Sequence, residues 1–169
     1  MIRLATLQDI PAIQHIASLT WPVAYAAILP ASQLSYMMAK MYNAEVLTHQ
    51  MAVEGQLFFI LEKNGRCLGF AGTSPNSHPP PSNLASHPWK LHKLYVLPFE
   101  QKIGAGKMLL QKVEETVKAA GGNYLTLNVN RSNAAFQFYV KNGFTVLESG
   151  DFDIGQGFFM QDYVMGKLI

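Results

Sequence analysis

The sequence predicts an α+β fold, layered as α/β, in which a mixed sheet is flanked by helices in the order β-α-α-β-β-β-α-β-α-β-β. Three observations predict it. Between Trp89 and Ala120 the apolar period changes. Leu91 to Leu97 is rich in Leu, Tyr and Val, as a buried strand is, and Pro98 ends it because proline has no N–H for the ladder. From Gly106 onward Leu109/Leu110, Val113, Val117 and Ala120 fall on one helical face, with Gln111, Lys112, Glu115 and Lys118 on the other. Earlier in the chain, two apolar runs, Leu57 to Glu62 and Cys67 to Thr73, flank Lys63-Asn64-Gly65, a strong hairpin signal. Beyond Gly121-Gly122 a strand, a short helix and two closing strands follow one another, each bounded by turn residues.

In chain order, Ile2 to Ala5 is a short opening strand. Thr6 or Asp9 caps a helix with Ile10, Ile13, Ile16/Ala17 and Thr20/Trp21 on one face, and Pro11 is tolerated in or near its first turn. Trp21-Pro22 ends that helix, and a linker containing Tyr25 follows. Pro30 opens a helix with Leu34, Met37/Met38 and Met41 on one side, and Asn43 caps another carrying Leu47 and Met51. This Tyr- and Met-rich segment reads either as an irregular core filled by flexible methionine or as an apolar wall over an acceptor pocket. After the hairpin, Pro75 to Pro88, with Pro79-Pro80-Pro81, predicts an exposed mobile loop rather than a strand. Gly121-Gly122 stops the helix that begins near Gly106, since a left-handed C-terminal residue suits glycine. Tyr124 to Val129 is a strand. Ser132 and Asn133 cap a helix to Lys141, ended by Asn142-Gly143, and Phe144 to Glu148 and Phe158 to Met165 close the sheet.

With 169 residues the chain has the length of one domain, long enough to bury a substantial core. Hydrophobic residues make up 49% and charged residues 14%, which excludes disorder. A net charge of +2 without a run of Lys or Arg gives no footprint for nucleic acid. The single Cys67, in an apolar stretch, reads as a buried core thiol. With no secretory n-region and no apolar run that would span a bilayer, the expected location is the cytoplasm. His15, His49, His78 and His87 form no ligand spacing, and no metal is expected.

The stretch Gln101-Lys102-Ile103-Gly104-Ala105-Gly106-Lys107 lies between a strand and a helix. Its glycines let backbone N–H groups close on an anion, the helix start favours negative charge, and Lys102 and Lys107 add positive charge. It should hold a phosphate or pyrophosphate. A nucleoside-triphosphatase loop needs Ser or Thr after its lysine, and Met108 stands there. A dinucleotide fold needs G-x-G-x-x-G with an acidic residue about twenty positions on, and neither is present. The remaining pattern, Gln-x-x-Gly-x-Gly after a strand ending Val-Leu-Pro, resembles the coenzyme A pyrophosphate loop of the GNAT superfamily of acyl-CoA-dependent N-acetyltransferases. Gln101, Gly104 and Gly106 match. Lys102, where many members have glycine, and Ile103, where many have a basic residue, depart from it.

A second stretch, Asn133 to Phe144, is similar to the GNAT helix that ends in Tyr-x-x-x-Gly-Phe. The resemblance covers essentially the whole chain. It implies a single N-acetyltransferase domain over 1–169 with a mostly antiparallel sheet and acetyl-CoA as co-substrate. It also implies site residues. Backbone N–H groups of Leu94, Tyr95 and Val96 would bind the thioester carbonyl, and Gln101, Lys102, Ile103, Gly104, Ala105, Gly106 and Lys107 the pyrophosphate. Asn133 would hydrogen-bond the pantetheine, with Ser132 as the alternative, and Asn128 and Phe136 would also belong to the cofactor site. Tyr139 would protonate the leaving sulfur, a task for which a phenol pKa near 10 is suited. The plain alternative for Tyr139 is a core aromatic with its hydroxyl at the surface.

Direct attack requires a neutral amine, hence a base. Lys90 stands where some members keep a glutamate. His92, which alternates with Leu94 and Val96, is the candidate, with an ordinary imidazole pKa near 6.5; a core or solvent-facing histidine is the alternative. Glu148, Asp151, Asp153 and Asp162 make the C-terminal stretch locally acidic, either as a solvated loop or as a wall that attracts a cationic amine. The ending from Phe152 to Met165 loosely resembles bacterial GNAT proteins that include polyamine acetyltransferases. The expected partner is therefore a small-molecule or peptide amine, with no membrane or nucleic acid. Monomer and homodimer stay open, as does a non-catalytic acyl-CoA-binding regulatory domain.

Overall fold

β-Branched and aromatic runs supply seven strands, and helical periods supply five helices, in a computed structural model that describes residues 1–76 and 86–169 and, among these, the side chains of all but 101–103. The elements are β1 (Ile2–Leu4), α1 (Ile10–Tyr25), α2 (Ala31–Tyr42), α3 (Ala44–Ala52), β2 (Leu57–Lys63), β3 (Arg66–Pro75), β4 (Pro88–Val96), α4 (Ala105–Ala119), β5 (Tyr124–Asn130), α5 (Ala135–Lys141), β6 (Thr145–Gly155) and β7 (Phe158–Leu168). Two short 3₁₀ turns, Leu7–Asp9 and Pro98–Ile103, precede α1 and α4. The sheet order is β1-β2-β3-β4-β5-β7-β6. β4 and β5 are parallel, while β1–β2, β2–β3, β5–β7 and β6–β7 are antiparallel. The mixed, mostly antiparallel sheet flanked by helices is the predicted class, with the helical segment before β2 in three pieces. No helix among the described residues is long and apolar enough to cross a membrane.

The chain groups into two compact units, Met1–Ser74 with His92–Val113, and Pro75–Leu91 with Glu114–Ile169. In the first, Ile13, Ile16, Ala17 and Trp21 of α1 are buried, as are Phe58, Ile60 and Phe70 of β2 and β3. Each such large apolar side chain contributes about 1.5–3 kcal/mol on burial. Trp21-Pro22 does not end α1, which runs on to Tyr25. Pro22 removes one ladder hydrogen bond, but Trp21 and Tyr25 are both buried, with ring centroids 4.7 Å apart, and Ala26 N–H still donates to the Pro22 carbonyl. Packing outweighs a local breaker there. Pro30 and Asn43 start α2 and α3 as predicted, and Asn43 Oδ1 accepts from Val46 N–H at 2.8 Å. The buried face of α2 is Gln33, Met37 and Tyr42, so the Tyr and Met segment contributes to the core; Leu34, Met38 and Met41 are half-buried. Asn64 (φ 52°) and Gly65 (φ 72°) form the hairpin turn between β2 and β3. Cys67 is half-buried rather than a core residue, and burial raises its thiol pKa.

In the second unit, Gly121 (φ 78°) takes the left-handed position after α4, and Gly122 N–H closes the turn on the Val117 carbonyl. Gly122 is glycine for another reason: a Cβ there would lie 2.5 Å from Val117 and 2.6 Å from Trp89. Ala120, expected on the apolar face, is exposed. β6 and β7 are longer than the sequence predicts and meet at a turn with Gln156 at φ 53° and Gly157 at φ 76°. Asp151 and Asp153 therefore stand in a strand, not a solvated loop. Pro75 and Pro88, assigned to the exposed loop, are strand ends, with Asn76 N–H donating to the Pro88 carbonyl. Residues 77–85 of that loop, including His78 and Pro79-Pro80-Pro81, lie outside the described residues.

Candidate active site

The chain turns from strand to helix through Pro98–Ile103 and Gly104, whose φ of 80° is the left-handed conformation that a side chain disfavours. A Cβ at Gly104 would meet nothing within 4 Å, so the glycine serves the backbone rather than packing. The first i→i−4 hydrogen bond of α4 runs from Met108 N–H to the Gly104 carbonyl at 3.0 Å. The amides of Ala105, Gly106 and Lys107 therefore stand ahead of the ladder, in the first turn, where a helix offers N–H groups to an anion. Ala105 is fully buried and fixes the turn to the core, while Gly104 and Lys107 are exposed. Gln101, Lys102 and Ile103 lie in the 3₁₀ turn just before.

In the same unit, β4 carries His92 and Leu94 half-buried, Tyr95 half-buried and Val96 buried. Gly69 of β3 lets β4 approach closely, since a Cβ on it would sit 2.7 Å from the Tyr95 carbonyl oxygen. The Tyr95 ring packs on Trp21 and Phe70, with centroids at 5.9 and 5.8 Å. His92 Nε2 lies 2.8 Å from Ser74 Oγ, a hydrogen bond that holds the imidazole on β4. Ser74 was not singled out by the sequence, because nothing local to either residue announces a pairing eighteen positions apart.

α5 of the second unit begins at Ala135, two residues after the expected cap. Asn133 Oδ1 nonetheless accepts from Ala135 N–H at 2.8 Å, and Asn130 Oδ1 accepts from Ser132 N–H at 2.9 Å, so paired asparagines build the entry. Ser132 is exposed and Asn133 half-buried. Phe136 packs on Tyr163 with centroids 5.1 Å apart. Tyr139 is 8% exposed, its ring edge-on to Phe144 at 5.7 Å and Phe138 at 5.2 Å. Gly143 (φ 88°) ends the helix, and Phe144 N–H returns to the Tyr139 carbonyl. Asn128 is exposed near the end of β5. The candidate residues thus fall into two sets: His92, Leu94 to Val96 and the Gln101–Lys107 loop in the first unit, and Asn128, Asn133, Phe136 and Tyr139 in the second.

Two ionisable groups stand out that the sequence did not mark as buried. Lys93 is 4% exposed, and its Nζ donates to Gln50 Oε1 at 3.0 Å beneath the rings of Tyr42 and Phe58, 5.8 and 5.5 Å from their centroids. Burial lowers its pKa from 10.5 to about 8. Asp162 of β7 is 7% exposed, and burial raises its carboxyl to about 6, against the opposing effects of the Asn128 hydrogen bond and the charges of Lys90 and Arg131. Burial also lowers the Lys90 ammonium, opposed by Asp162.

The family model of the acetyltransferase (GNAT) domain matches residues 28–165. The chain is 26% identical over 158 residues to the spermidine N(1)-acetyltransferase of Thermoplasma acidophilum, covering 90% of this chain and 92% of that one. It is 27% identical over 138 residues to YuaI, an uncharacterised N-acetyltransferase of Bacillus subtilis, covering 82% and 76%. Among solved structures it is similar to the PaiA N-acetyltransferase of Thermoplasma acidophilum in complex with coenzyme A, with a TM-score of 0.81 and 25% identity, covering 100% of this chain and 98% of that one.

Proposed function

Because the chain belongs to the GNAT family of acetyltransferases, we propose that it acetylates a primary amine of a small cationic, polyamine-like molecule by direct attack. A peptide amine is the other acceptor class in view. The observation that carries the use of acetyl-CoA is the left-handed Gly104 followed by the pre-ladder amides of Ala105, Gly106 and Lys107. The donor set fits a pyrophosphate: three first-turn N–H groups, the positive end of α4, and two lysines in the surrounding sequence. Similarity to a spermidine N(1)-acetyltransferase across nine-tenths of both chains supports the polyamine-like acceptor.

Acetyl-CoA, when bound, supplies the acetyl group as an activated thioester. Gln101 to Lys107 hold its pyrophosphate, and Asn128, Asn133 and Phe136 line its pantetheine arm. The N–H groups of Leu94 to Val96 receive the carbonyl oxygen, on which negative charge grows during attack. His92, oriented by Ser74, takes the proton that an aliphatic ammonium must lose before it can attack. Tyr139 delivers a proton to the leaving sulfur. Direct transfer is favoured over an acyl-cysteine route because the single cysteine, Cys67, has its thiol pKa raised by burial, so little thiolate forms.

A panel of amines tests the reading: linear polyamines, aliphatic monoamines and short peptides with free N-termini, each incubated with acetyl-CoA and followed by thiol release and product mass. The expected result is monoacetylated polyamine as the product with the highest kcat/KM. Turnover of peptides alone would replace the acceptor, and tight coenzyme A binding with no turnover of any amine would overturn the catalytic role.

A further inference from the structure

One face of the sheet in the second unit is polar where an aliphatic layer would ordinarily pack. Alternate residues of a strand share a face, so Thr126, Asn128 and Asn130 of β5 lie together. Their register partners, Lys90 on β4 and Asp162 on β7, join that face. Thr126, Asn130 and Asp162 are 3%, 4% and 7% exposed. Most of these groups are internally satisfied. Thr126 Oγ1 donates to the Trp89 carbonyl and accepts from Asn76 Nδ2, and Asn130 Oδ1 accepts from Ser132 N–H.

Asp162 is the exception. Asn128 hydrogen-bonds its carboxylate, yet Oδ1 is buried with no hydrogen-bond partner among the described residues. Two cations act on it, and neither donates to that oxygen. Lys90 acts on Asp162 through its charge, while Arg131 directs Nη1 to Ser149 Oγ and Nη2 to Asp151 Oδ1. A buried carboxylate oxygen without a donor is costly, and a ligand that brings an N–H donor removes that cost. The carboxyl titrates at about 6, so the charged form prevails at neutral pH.

We propose that Asp162, held by Asn128, is the subsite for the ammonium group of the acceptor that is not acetylated, so that the protein selects linear diamines and polyamines over monoamines. A charge-assisted N–H···O bond from R–NH₃⁺ to Oδ1 completes the carboxylate. This inference rests on the reading of the acceptor as a small cationic amine.

The test compares butane-1,4-diamine with butylamine as acceptors for the wild type and Asp162→Asn, an isosteric variant without the charge. The ratio of kcat/KM for the diamine to that for butylamine should fall about 10–150-fold in the variant, the range that loss of one charged hydrogen bond produces. Equal losses with both acceptors, or an unchanged ratio, would overturn the subsite while leaving polyamine acetylation intact. A second measurement uses the wild type alone: ¹³C NMR of the Asp162 carboxyl during titration with butane-1,4-diamine. A saturable shift with a lowered carboxyl pKa is expected, and no shift overturns the proposal even if the variant fails to fold. A wild type that acetylates peptides but no amine of the panel would instead refute the acceptor reading, with the NMR titration still deciding whether Asp162 binds an ammonium.

Discussion

A lysine that is 4% exposed has exchanged water for one amide oxygen and two aromatic faces, and that exchange fixes how Lys93 titrates. Its pKa in the fold is about 8 against an ordinary 10.5. Between those values the unfolded chain binds more protons than the folded one, so the contribution of Lys93 to stability rises as pH increases through this window and is lowest below pH 8. Lys93→Met keeps the stem and removes the charge. It should stabilise the protein by about 1–2 kcal/mol at pH 7, as replacement of a buried ion by an apolar isostere often does. That advantage should vanish on the way to pH 10.5, which chemical denaturation at several pH values would detect. His92 makes a different forecast. His92→Ala should remove the acidic limb from the pH profile of kcat/KM, and an unchanged profile would hand the proton-accepting role to water or another group. His92 was singled out from the sequence because it alternates with Leu94 and Val96 on one face of the strand. The burial of Lys93 and of Asp162 was not legible, because it depends on α3 in one case and on the β5–β7 register in the other, and neither is visible in a local pattern.

Gly104 and the start of α4 show what a short pattern can specify. Gln-x-x-Gly-x-Gly after a strand predicted a turn into a helix with open amides, and the φ of 80° and the Met108–Gly104 bond are the physical content of that pattern. Gly104→Val should cost about 1–2 kcal/mol of stability through left-handed strain alone, since a Cβ meets no protein atom. Gly104→Asn, which tolerates the left-handed region, should lose less stability yet still weaken acetyl-CoA binding by more than tenfold, because any side chain there obstructs the approach of backbone to phosphate. Calorimetry on both variants separates strain from ligand obstruction, and unchanged affinity in the folded Asn variant would remove the loop from the binding site. The end of α1 went the other way. Pro22 is a local breaker, and the sequence stopped the helix there, but burial of Trp21 and Tyr25 carries it one turn further. The first of the late strands was cut short for a similar reason: the acidic stretch from Ser149 to Gly155 is a strand through its pairing with Phe158–Leu168 across the turn at Gln156 and Gly157, not through its composition.

The sheet order is β1-β2-β3-β4-β5-β7-β6 with β4 and β5 parallel, and the sequence placed all seven strands in chain order while the strand pairing emerges only in the fold. Family membership supplies acetyl-CoA as the donor, and the proposed mechanism assigns the amides at the start of α4 to the pyrophosphate, the imidazole and strand N–H groups of β4 to the amine and the carbonyl, and the phenol of α5 to the leaving sulfur. Binding of coenzyme A should raise the unfolding temperature in a concentration-dependent way, equivalent to about 2.7 kcal/mol at one hundred times Kd. The most direct measurement is steady-state acetyl transfer to a linear diamine by the wild type and Tyr139→Phe, with acetyl-CoA affinity measured in parallel. Tyr139→Phe keeps the ring that packs against Phe144 and removes only the hydroxyl. The predicted result is acetylated amine and free thiol in equal amounts, with kcat and kcat/KM both about 10²-fold lower in the variant and acetyl-CoA affinity unchanged. Full activity in a folded Phe variant, with chemistry shown to limit the rate, would contradict it and leave Tyr139 a packing residue.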